Sequence, residues 1–123
     1  MNDLCLLYIE DDEEIIENVI YLLSKSFSEI YTATNAEIAL ELYKKCTPDI
    51  ILTDISLGEI DGLSVARKIR DNDKYIPIII MSAYNNNTVL QTAQKIGVSS
   101  YIQKPFNFTT LKNAISKAIE ELI

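Results

Sequence analysis

The sequence contains no histidine, three glycines, three prolines and two cysteines in 123 residues. Without histidine, imidazole acid–base chemistry and histidine-containing metal sites are excluded. So little glycine and proline excludes a fibrous or low-complexity chain. Cys5 and Cys46 stand 41 positions apart with no CxxC spacing, which leaves no zinc or dithiol motif. They read as two buried thiols in a reducing cytosol, so a cytoplasmic location is expected. No apolar run approaches the ~18–20 residues of a membrane span, and Met1 opens no signal-peptide pattern, so no membrane association is expected. Positive charge is scarce too: 11 Lys and Arg face 18 Asp and Glu, a net charge of −7. Such a chain repels nucleic-acid phosphates and anionic membranes. It holds no basic reading helix, so this segment is not expected to contact nucleic acid directly.

What is present suits one domain with an ordinary core: 48% of residues are apolar and 24% charged. Short apolar runs at 4–9, 29–33, 50–53, 78–81 and 101–103 read as strands. Amphipathic stretches alternate with them. The first covers 13–27, with Ile16, Ile20, Leu23 and Phe27 on one face. The second is capped by Asn35, turns Ile38, Ala39, Leu42 and Tyr43 inward, and stops at Thr47-Pro48. Leu63, Ala66 and Ile69 mark a third, ending near Asp71. A polar loop at 85–87 leads into a fourth that closes at Gly97, and the last covers 108–122, with Leu111, Ile115, Ala118 and Leu122 aligned. Strands apolar on both faces belong in a parallel sheet covered by helices on both sides, so an α/β fold is predicted. Right-handed crossovers point all the strands one way, and their C-terminal ends share the edge that carries the site in such sheets.

The strand ends carry a specific set of side chains. The first ends in Glu10-Asp11-Asp12, the third in Asp54, the fourth in Ser82-Ala83 and the fifth in Lys104-Pro105. Each alone has an ordinary reading. Glu10 to Glu14 is an acidic run at a helix start, Asp54 a turn residue, Ser82 a strand-end hydroxyl and Lys104 a solvated lysine. Their joint placement on one edge requires four coincidences. Converging carboxylates repel unless a cation joins them. An all-oxygen set without His or Cys favours Mg²⁺, Mn²⁺ or Ca²⁺, and a few ligands with room for water suit Mg²⁺ best. Lys104 supplies an ammonium for a phosphoryl oxygen, and Ser82 a hydroxyl. With no Ser–His or Cys–His pair, the expected nucleophile is a carboxylate, Asp54. Pro105, directly after the lysine, is a candidate for a cis peptide bond.

The pieces LLYIEDDE, PDIILTDISLGEIDG, IPIIIMSAY and YIQKPF resemble, in order and spacing, the receiver domain of two-component response regulators of the chemotaxis-regulator type. The resemblance spans essentially the whole chain and implies one receiver domain over residues 1–123. It implies a (βα)₅ flavodoxin-like fold with strand order 2-1-3-4-5. It implies that Asp54 accepts a phosphoryl group from a sensor histidine kinase or a phosphotransfer protein. Asp11 and Asp54 would bind Mg²⁺ directly, Glu10 through a water, and the Ser56 carbonyl would be a further ligand. Ser82 and Lys104 would take the switch and phosphate-binding roles, and Tyr101 the aromatic whose rotamer follows activation. Ser56 and Tyr84 would flank the phosphoryl group, with Tyr84 shielding it from water. Gly58 stands where the family usually has proline and loosens that loop. Asp12 is expected only to start a helix.

Phosphorylation would draw Ser82 inward, let Tyr101 follow, and reshape the face built from residues 87–97, the fifth strand and the last helix. An output domain, a target protein or a second copy of the chain would read that face. Two competing classes stay open: a Mg²⁺-dependent phosphohydrolase, which would normally carry an Asp where Ser56 stands, and an interaction module that is never phosphorylated. A flavin carrier of similar topology would need a Ser/Thr-Gly-rich phosphate loop that this sequence lacks.

Overall fold

The computed structural model describes residues 3–55, 62–83 and 87–122. Strands and helices alternate strictly: β1 (Cys5–Ile9), α1 (Glu13–Leu23), β2 (Glu29–Ala33), α2 (Ala36–Cys46), β3 (Ile50–Asp54), α3 (Gly62–Asn72), β4 (Ile78–Ser82), α4 (Asn87–Ile96), β5 (Ser100–Gln103) and α5 (Phe108–Glu121). The strands form one parallel sheet in the order β2-β1-β3-β4-β5. This is the flavodoxin-like arrangement.

Residues alternate in direction along each strand, so the two sheet faces build two cores. Leu7, Ile9, Ile51, Ile78 and Ile80 meet Ala36 and Ala39 of α2, Val65, Ala66 and Ile69 of α3, and Ala93 and Ile96 of α4. Leu6, Tyr8, Ile50, Leu52, Ile79 and Met81 meet Ile16, Val19 and Leu23 of α1, and Leu111 and Ile115 of α5. Each fully buried Leu or Ile contributes about 1.5–3 kcal/mol. The central strands β3 and β4 are buried at every position. The edge strand β2 buries only Ala33.

Among the described residues, three helix starts are fixed by side-chain caps. Asp12 accepts from the Glu14 and Ile15 amides, Asn35 from Ile38, and Asn107 from Thr110. Each such cap stabilises by about 1 kcal/mol. Gly97, at φ +87°, ends α4 in the left-handed region that glycine enters without steric cost.

Several local expectations are corrected. The first helix stops at Leu23 rather than 27. The Ser24 hydroxyl donates to the Tyr21 carbonyl, and the Ser26 amide to that of Leu23, which turns the chain, while Phe27 still reaches the core. Ile38 is exposed, because small Ala36 and Ala39 form the contact and hold α2 close to the sheet. Leu122 lies beyond α5 and is also exposed. Cys5 and Cys46 are free thiols, half-buried rather than buried. Burial, with Asp49 and Glu29 nearby, pushes the Cys5 thiol up to about 11. No described helix is long and apolar enough to cross a membrane.

Candidate functional site

The backbone brings four chain segments to the C-terminal edge of the sheet. The Glu10 amide donates to the Ala33 carbonyl at 3.0 Å, extending the β1–β2 ladder by one residue. This holds the Glu10 side chain inward, where it is 1% exposed. Asp12 turns away to cap α1, leaving Asp11 exposed between them. The acidic run therefore splits into an interior acid and a solvated helix start.

Asp54 ends β3 opposite Met81 and is 6% exposed. The Ile55 amide continues the ladder to the Met81 carbonyl. Gly62, the first residue of α3, packs against this strand end. A Cβ there would collide with the Asp54 carbonyl oxygen, so close approach of α3 requires glycine. Ser82 ends β4 and is buried. Its carbonyl accepts the Lys104 amide at 2.7 Å, tying the segment after β5 to the same edge. The Lys104–Pro105 peptide is cis.

Lys104 lies between the two interior acids. Its Nζ is 2.9 Å from Glu10 Oε1 and 3.2 Å from Asp54 Oδ2. Glu10, Asp11 and Asp54 each offer a carboxylate oxygen, all within 4.8 Å of one another. Three ionised carboxylates and one ammonium would leave a net charge of −2. Burial pushes the Glu10 carboxyl up to about 7; the Lys104 hydrogen bond opposes this, and the charge of Asp54 adds to it. Burial alone would lower the Lys104 ammonium, but its bond to Glu10 and the charges of both acids outweigh this and raise it. Lys104 is therefore held protonated.

The structure thus gathers Glu10, Asp11, Asp54 and Lys104, with Ser82 at the neighbouring strand end. Tyr101 lies apart on β5, half-buried against the core on the α2–α3–α4 side. Ser56, Gly58 and Tyr84 fall outside the described residues. Beside Lys104 opens an apolar cavity of about 350 Å³, lined by Ile15, Ala83, Lys104, Pro105 and Phe106. One residue escapes sequence inspection: Tyr8, whose hydroxyl is buried with no hydrogen-bond partner among the described residues. Burial first, then the charges of Glu10, Asp54 and Asp12, raise its pKa. The available signal is a polar-tipped aromatic on the inner face of a buried strand, two positions before an acid.

The donor chemistry fits a small, hard divalent cation. The three acids offer only oxygen, they carry excess negative charge, and one of them is exposed enough to leave coordination positions for water.

The sequence matches the response regulator receiver domain family over residues 6–116. It is 30% identical over 115 residues to the chemotaxis protein CheY of Bacillus subtilis, covering 92% of this chain and 96% of that protein. It is 31% identical over 118 residues to the regulatory protein AtoC of Escherichia coli, covering 93% of this chain but 25% of that one. The chain spans less than half the length of several curated relatives that it matches. A CheY-like receiver domain from Methanospirillum hungatei superposes with a TM-score of 0.91 at 22% identity, covering 98% of each chain, and so shares the fold. The acidic cluster is compatible with the divalent-metal site typical of receiver domains. The chain belongs to the receiver domain family of two-component response regulators, phosphoacceptor switches that work with histidine kinases and output domains.

Proposed function

We propose that residues 1–123 act as one receiver domain, in which Asp54 takes a phosphoryl group from a phosphohistidine on a sensor kinase or a phosphotransfer protein. An Asp54 carboxylate oxygen attacks phosphorus, the P–N bond breaks, and the imidazole leaves with a proton from solvent. The observation that carries this reading is the position of Lys104 Nζ, within 3.2 Å of Asp54 and 2.9 Å of Glu10 on one buried edge. The ammonium is already placed to move to a phosphoryl oxygen, and charge-assisted bonds of this kind are strong. Ser82, at the adjacent strand end, would donate to a second oxygen.

Glu10, Asp11, Asp54 and the Ser56 carbonyl would hold Mg²⁺, with Mn²⁺ able to substitute. The cation supplies charge neutralisation of the reacting oxygens. Ser56 stands where a Mg²⁺-dependent phosphohydrolase would carry its acid–base Asp, which favours a lasting switch over a hydrolase. Ser56 and Tyr84 would set the lifetime of the acyl phosphate, and Gly58, in place of the family's usual proline, how fast the site forms. Once phosphorylated, Ser82 moves inward and Tyr101 follows. The α4–β5–α5 face then changes shape for an output domain, a target protein or a second copy. The chain would act in the cytoplasm, where a kinase meets it.

The test is intact mass after incubation with Mg²⁺ and a small acyl phosphate donor. The protein should gain one phosphoryl group, and Asp54→Asn none. Rapid release of phosphate from many substrates would instead support a hydrolase. No mass gain, even with a kinase, would support an interaction module.

A further inference from the structure

The Tyr8 hydroxyl is a buried polar group on the strand that leads to Glu10, and the reaction above leaves it unused. Tyr8 is 0% exposed, and its oxygen has no hydrogen-bond partner among the described residues. A buried, unpaired hydroxyl costs stability, and a phenylalanine of the same shape would avoid that cost. Alternation along the strand puts Tyr8 and Glu10 on the sheet face covered by α1 and α5. In the present state Glu10 does not need Tyr8, because Lys104 donates to it at 2.9 Å. Asp54 already competes for the same ammonium. A dianionic phosphoryl group on Asp54 competes more strongly and leaves Glu10 Oε1 without its lysine donor, while Oε2 keeps the Asp12 amide at 3.4 Å.

We propose that Tyr8 is a positioning residue of the phosphorylated state: its O–H donates to the Glu10 carboxylate when Lys104 leaves for the phosphoryl oxygen. The inference rests on the phosphoacceptor reading above. The exchange keeps a donor on Glu10 Oε1 in both states, beside the Asp12 amide on Oε2. The unpaired hydroxyl of the resting state is then a reserve of instability, released on phosphorylation. Tyr8 acts through Glu10 and touches no reacting atom.

Calorimetry with two probes tests this, Mg²⁺ alone and beryllofluoride at saturating Mg²⁺, on wild type and Tyr8→Phe. Without ligand, Tyr8→Phe should unfold at or above the wild-type temperature. It should bind Mg²⁺ alone as wild type does, and beryllofluoride about tenfold to a hundredfold more weakly, as loss of a hydrogen bond to a charged group predicts. Equal beryllofluoride affinity overturns the proposal. So does equal weakening toward both probes, or a lower unfolding temperature without ligand, which would make the hydroxyl structural. If wild type accepts a phosphoryl group and binds beryllofluoride while Tyr8→Phe matches it, only the Tyr8 role falls. If wild type does neither, the phosphoacceptor reading falls and takes this inference with it.

Discussion

Glu10 and Asp12 are chemically alike and two positions apart, yet they do opposite things. Glu10 is inside and paired with Lys104; Asp12 is outside and caps a helix. The difference is where the strand ladder stops, one residue after Ile9. The burial of Glu10 has a pH signature that the Lys104 bond only partly offsets. The folded carboxyl sits at about 7 against an ordinary value of 4.5, so the folded state holds this proton more tightly than the unfolded chain. In cation-free protein this group therefore lowers stability progressively as pH rises from about 4.5 to 7, and the whole cost is present above that window. Glu10→Gln, measured by calorimetry in chelator, should match wild type near the bottom of this window and unfold at higher temperature above it. A difference that stays constant with pH would contradict the assignment. The sequence showed the acid but not its partner, since nothing in YIQKPF says that the lysine rests on Glu10 while no phosphoryl group is present.

At the scale of elements, strands were easier to read than helix faces. Ile78, Ile79 and Ile80 point to alternate faces and are all fully buried, which a continuous apolar run predicts directly. Helix limits depend on short-range bonds that composition does not display, as Ser24 and Ser26 show at the end of α1. Arg70 is another bond set that sequence inspection does not reveal. Its guanidinium, on α3, donates to the Gly97 carbonyl at 2.9 Å and the Asp73 carbonyl at 3.2 Å, fastening the end of α4 to α3. Its Nε is buried without a partner among the described residues, which offsets part of that gain. Arg70→Ala should therefore cost roughly 1 kcal/mol in denaturant unfolding, less than two charge-assisted bonds would suggest. Amide exchange should quicken around Gly97 and Val98. Unchanged exchange there would show that α4 is held by its apolar face alone.

For the whole molecule, a parallel sheet gathers what the sequence scatters. Asp11, Asp54, Ser82 and Lys104 share no local pattern, but each ends or follows a strand, and the common strand direction delivers them to one edge. This is why the site was legible from strand ends and the partners of individual atoms were not. Tyr8 stayed hidden because a tyrosine in a buried strand reads as core until its oxygen is seen to lack a bond. The central claim is that this edge directs phosphoryl chemistry to one carboxylate among several. Its most direct measurement is borohydride reduction of the phosphorylated protein followed by peptide mapping, because the reagent converts an acyl phosphate into an alcohol at the residue that carried it. The account predicts the modification at Asp54 alone, dependent on Mg²⁺. Label at Glu10, Asp11 or Asp12, or spread over several acids, would contradict it.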